Sequence, residues 1–167
     1  MLARRSLAFL GTLGVVALAG CASDDVQTSF VHDPLSAFPA QGTFSWDAAA
    51  NKLPADERIA ALDLDPQIRE AANQEFSLRG YRMVTSGTPD YWLSYQVAVH
   101  TWIGPDNSLS VASLSLLLVD AKLDRRVWLG YGRAEVNVGI SRDERMKRLR
   151  GAIAKILKKF PPNQGRT

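Results

Sequence analysis

The chain has 167 residues, 46% of them hydrophobic, with 20 lysines and arginines against 17 aspartates and glutamates and a single cysteine. That length fits one domain with its own core, and one cysteine excludes an internal disulfide. Arg4 and Arg5 are the only charged residues among the first 20, so without that segment the balance is 18 to 17. The remainder is nearly neutral despite a whole-chain pI near 9.2, which speaks against nucleic acid as a partner.

Residues 1–20 read as a leader. Arg4 and Arg5 make a cationic start, and Leu7 to Leu18 form an apolar run fit for a signal core but short of the roughly 20 residues a spanning helix needs. The tetrad Leu18, Ala19, Gly20, Cys21 resembles a lipobox. That resemblance implies cleavage between Gly20 and Cys21 and acyl chains such as palmitate on Cys21. It also implies, because Ala22 rather than an aspartate follows, export to the outer membrane, and the domain is expected on the periplasmic face. The arginine pair leaves the twin-arginine route open beside the general secretory one. The expected partner is therefore the membrane, held through lipid at Cys21, with residues 21–25 as a short polar tether.

Val26 to His32 is a first strand candidate, closed by the turn signal Asp33, Pro34. Thr43 to Trp46 is a second, with Phe44 and Trp46 on one face. A helix is expected over residues 65–79, with Asp65 as its cap and Pro66 in the first helical position. Ile68, Ala71, Ala72 and Phe76 fall on one face, and Arg79 with Gly80 supplies the stop. An extra turn over Asp56 to Leu62 does not run cleanly into that start. Tyr81 to Thr85 makes a short strand.

The period then becomes two. Tyr91, Leu93, Tyr95, Val97 and Val99 share one face of a long strand, with Trp92, Ser94, Gln96, Ala98 and His100 on the other. Gly104 to Asn107 marks a turn into a central strand lined by Ala112, Leu114, Leu116 and Leu118. Lys122 to Arg125 joins it to a strand over residues 126–138, where Trp128, Gly130, Gly132, Ala134, Val136 and Val138 share one face, bulky at the ends and small in the middle, so that a helix can approach closely. Ser141 and Glu144 make a capping box for that helix. Met146, Leu149, Ile153, Ile156, Leu157 and Phe160 repeat at helical spacing, and Pro161 and Pro162 end it.

This order predicts an α+β fold, a mainly antiparallel sheet with two helices packed on one face. One domain is expected over residues 26–162, with a polar tail at 163–167. Thr43-Phe-Ser-Trp46, Gly80-Tyr81, Pro89-Asp90, Val119-Asp120 leading to Val127-Trp128-Leu-Gly130, and Phe160-Pro161-Pro162, in that order behind the lipobox, resemble the lipoprotein family called domain of unknown function 4136. The resemblance covers residues 26–162. It implies an envelope lipoprotein of Gram-negative bacteria with a small α+β domain, and no reaction.

The residues offer little chemistry. A hydrolytic triad or a zinc site would have to draw on His32 and His100, and no nucleophile elbow or phosphate loop accompanies them. No cofactor and no metal is expected. An enzyme would require His100, Asp90 and Asp120 to converge in one cleft, whereas an aspartate entering a hairpin normally caps the turn. The final helix has a cationic outer face, of which Arg145, Arg148, Lys155 and Lys159 are candidates for contact with an anionic surface. The plainer reading is a solvated face set against the helix dipole. Trp92, Trp102 and Tyr81 are candidates for an aromatic binding surface. The expectation is an outer-membrane-anchored lipoprotein with a non-catalytic structural or interaction role, touching another envelope protein or anionic lipid. A lipid or lipopolysaccharide-handling module is the alternative, and an enzyme stands behind both.

Overall fold

A computed structural model describes residues 26–55, 57–60, 62–103, 108–136 and 139–162. Six strands, β1 (Gln27–His32), β2 (Gly42–Trp46), β3 (Tyr81–Met83), β4 (Tyr91–Ile103), β5 (Ser108–Asp120) and β6 (Arg125–Glu135), form one sheet in the order β1-β6-β5-β4-β2-β3. Its spine is the antiparallel run β1, β6, β5, β4; β2 joins β4 and β3 in parallel. A single helical turn α1 (Glu57–Ala60) precedes α2 (Leu64–Ser77), and α3 (Arg142–Leu157) closes the fold.

The alternating pattern decides which face is covered. Leu93 and Tyr95 of β4, Leu114, Leu116 and Leu118 of β5 and Trp128 of β6 are buried together with Ile68, Ala72 and Phe76 of α2 and Ile153, Ile156 and Leu157 of α3. Both long helices thus lie on one face of the sheet, as the pattern predicts. The glycine strip works as expected: a Cβ on Gly132 would stand 2.9 Å from two carbons of Ile156, and one on Gly130 2.6 Å from its Cγ2. Removing two side chains lets α3 sit close to β6.

Phe160, 3% exposed, binds the two helices and the sheet into one aromatic cluster. Its ring centroid lies 5.1 Å from those of Phe76, Tyr81 and Trp128 and 5.5 Å from that of Phe38. Arg79 adds a polar clasp, its Nε donating to the Leu157 carbonyl at 2.9 Å and its Nη1 to the Glu75 carbonyl at 2.7 Å, so the turn after α2 satisfies an end carbonyl of α3.

The structure corrects the start of α2. The residue before the helix is Asp63, in a left-handed conformation (φ 49°) with no side-chain cap bond. Asp65 instead sits in the first turn, where its carboxylate meets the positive end of the helix dipole. It pairs with Arg69 at 2.9 Å and accepts the Tyr95 hydroxyl at 2.5 Å. Pro66 is tolerated because the whole first turn lacks intrahelical partners for its N–H groups. Two strand ends also differ: β3 stops at Met83, just before the loop holding Gly87 at φ 78°, and β6 stops at Glu135. At α3 the Ser141 hydroxyl accepts the Glu144 amide at 3.2 Å, as the capping box requires.

Candidate functional site

Three places were open from the sequence. The first is the Asp90 and Asp120 pair, which antiparallel pairing brings together because Tyr91 stands opposite Asp120. They line a cavity of about 210 Å³ with Pro39, Gln41, Tyr91 and Lys122. Both carboxylates are already engaged. Asp90 accepts from the Thr43 amide and hydroxyl at 2.8 Å each, and these bonds hold its carboxyl below the usual value. Asp120 accepts the Lys122 and Leu123 amides at 2.9 Å each, which is the turn-capping role.

The same register keeps His100 out of that cavity. His100 pairs with Val111, nine positions along β4 from Tyr91, about 30 Å away at the strand rise of ~3.3 Å per residue. It is exposed near the opposite end of the sheet. Among the described residues no three metal-ligating side chains come together either.

Thr43→Val tests the Asp90 anchor. The threonine hydroxyl both donates to the Asp90 carboxylate and accepts its amide at 3.0 Å, and its loss is expected to cost about 1 kcal/mol at pH 7, less than is usual for a bond to a charged group because Asp90 faces water. A lowered carboxyl contributes stability above its unfolded value of about 3.9 and loses it as pH falls through the folded one. Urea denaturation should therefore show the wild-type advantage at pH 7 shrinking by pH 3. An equal gap at both pH values contradicts this account.

The second place, the aromatic surface, does not form. Tyr81 is 1% exposed within the helix-side core, its hydroxyl donating to the Pro39 carbonyl at 2.6 Å. Gly80 turns at φ 83° and swings the next side chain inward. Trp92 points to the other face of the sheet and is half-buried, while the Trp102 side chain lies outside the described residues.

The third place is the cationic helix, which the structure divides. Arg148 lies 3.5 Å from Glu144 and Arg145 donates to the Ile140 carbonyl at 3.3 Å, so both serve the N-terminal turns of α3. Lys155 and Lys159 stand at the other end, beside edge strand β1, and with Lys158 they rim a groove of about 290 Å³. Thr28, Ser29, Phe30 and Ile156 complete its lining. Phe30 lies directly across from Gly130 in the ladder, on the helix side, and the Lys159 ammonium sits 5.6 Å from the centroid of its ring. Sequence reasoning missed Phe30 here, since nothing local says that the first strand lies beside the last helix. The glycine strip placed α3 over β6, and only the β1-β6 pairing adds the rest. Gly20 and Cys21 lie outside the described residues.

Among known families, the model described as Domain of unknown function (DUF4136) matches residues 26–162. Comparison with curated proteins finds no match. The chain is similar to the solved PelC dodecamer from Paraburkholderia phytofirmans at 16% identity and a TM-score of 0.53, over 85% of this chain and 99% of that one. It is also similar to a PDZ domain protein from Parabacteroides distasonis at 13% identity and a TM-score of 0.52, over 83% of this chain and 36% of that one. Lipoprotein GNA1162 from Neisseria meningitidis is more distant, at 14% identity and a TM-score of 0.43 over 72% of this chain and 99% of that one. At these identities the first two likenesses show a shared fold.

Proposed function

This chain belongs to the DUF4136 family, and from that premise we propose that it is an outer-membrane-anchored lipoprotein with a non-catalytic structural or interaction role on the periplasmic face. The carrying observation is the tetrad ending at Cys21, five residues before Val26, where the family match starts. At no more than ~3.6 Å per residue, that tether holds the domain within about 18 Å of the acylated residue. The separation of His100 from the Asp90 and Asp120 cavity supports a role without catalysis.

Cys21→Ser tests the anchor. Wild-type protein should sediment with the outer membrane in a density gradient and carry acyl mass on its N-terminal peptide, while the variant should leave the membrane fraction almost entirely. A wild-type peptide of unmodified mass, or a variant that still floats with the outer membrane, ends this reading.

Assembly with further copies is a second reading. The helix-free face leaves Trp92, Leu117, Leu129 and Tyr131 half-buried, and Val31 on the edge strand is 70% exposed. Partly exposed apolar side chains gathered on one face suit an interface, and PelC, of similar fold, forms a dodecamer. A molar mass of one chain by light scattering at micromolar concentration would reject it.

A further inference from the structure

The groove between β1 and the C-terminal end of α3 combines features that neither a plain solvated helix face nor a core crevice has. Its floor is apolar, from Phe30 and Ile156, and its rim carries Lys155, Lys158 and Lys159 with no carboxylate among the lining residues. Thr28 adds a hydroxyl on the strand side. Lysine stems lie along apolar surface while the ammonium groups reach outward, and Lys159 is held over the Phe30 ring at 5.6 Å. At about 290 Å³ the space suits a headgroup with its glycerol, not a whole lipid.

Position completes the match. Thr28 is seven residues beyond Cys21, so the chain cannot carry the groove more than about 25 Å from the acylated residue. Anionic leaflets attract juxtamembrane lysines most strongly at such short range.

We propose that this groove takes the phosphate headgroup of an anionic phospholipid from the bilayer to which Cys21 ties the domain. The lysine ammonium groups meet the phosphate oxygens, the Thr28 hydroxyl donates to one of them, and the apolar floor receives the glycerol and the start of the acyl chains. This rests on the anchored reading above. It narrows the contact from the whole cationic helix to one end of it, and leaves Arg145 and Arg148 outside.

The test uses the full acylated protein in nanodiscs of phosphatidylcholine alone or with three-tenths phosphatidylglycerol, with lysine acetylation read by mass spectrometry. Lys147, at the other end of α3 with its side chain 78% exposed, is the internal reference. In phosphatidylglycerol discs, labelling of Lys155, Lys158 and Lys159 should fall about tenfold relative to Lys147, and 0.5 M salt should restore it. Equal labelling in both discs overturns the proposal, as does equal protection of Lys147. Protection by 10 mM inorganic phosphate in neutral discs points to a free anion and overturns the lipid assignment. Failure of the anchor itself shows earlier and separately, as protein that never enters the discs.

Discussion

Gly130→Ala is expected to destabilise the domain by about 3 kcal/mol, the upper part of the range for overpacking a dense core, and to lower the melting temperature by about 10 °C. The added methyl would overlap the Trp128 ring and stand 2.6 Å from Ile156 Cγ2. Neither neighbour can retreat. Trp128 is fully buried and wedged against Phe160 at 5.1 Å between centroids, and Ile156 is 2% exposed in the face that α3 lays on the sheet. Relief requires moving α3 as a body, which opens the core over β5 as well. Gly151→Ala is the control, because a Cβ there meets nothing within 4 Å and alanine favours a helix. If thermal unfolding showed Gly130→Ala within 1 °C of wild type, the close approach of α3 to β6 would be wrong.

Phe160→Ala is expected to cost about 4 kcal/mol, as deletion of a buried aromatic does when its cavity cannot collapse. Four rings depend on it: Phe38, Phe76, Tyr81 and Trp128 all have centroids within 5.5 Å of its own. They come from four different parts of the chain, so no single shift fills the hole. The indole N–H of Trp128 has no hydrogen-bond partner among the described residues, so that ring is held by packing alone. Phe160→Leu keeps most of the volume and should cost less than half as much. Urea denaturation of the pair measures the difference; equal losses would mean that the cluster contributes bulk and no specific fit.

Much of this fold was legible because its signals are local. The switch from a 3.6-residue to a two-residue period after Gly80, the Ser141 cap and the alternation from Tyr91 to Val99 each concern neighbours in the chain, and the structure bears them out. Asp65 misled because a cap motif is judged from a few residues, whereas its carboxylate is drawn to Tyr95 on a strand 30 positions away. Tyr81 misled for a related reason. An aromatic in a short strand looks the same whether its face is bare or covered, and α2 and Phe160 cover this one.

The candidate sites show the division most clearly. Composition and spacing were enough to find a cationic helix, a pair of aspartates beside strand ends and a lone cysteine behind an apolar run. Which charges stand together was decided only by pairing register and strand order. Register sets Tyr91 against Asp120 and carries His100 to the far end of β4, while the place of β1 beside β6 brings Phe30 under Lys159. The physical reason is that helices and turns are built from contacts between near neighbours, which sequence patterns record. A sheet is built from backbone bonds that every residue but proline can make in full, so strand order is chosen by the burial of the whole apolar face at once.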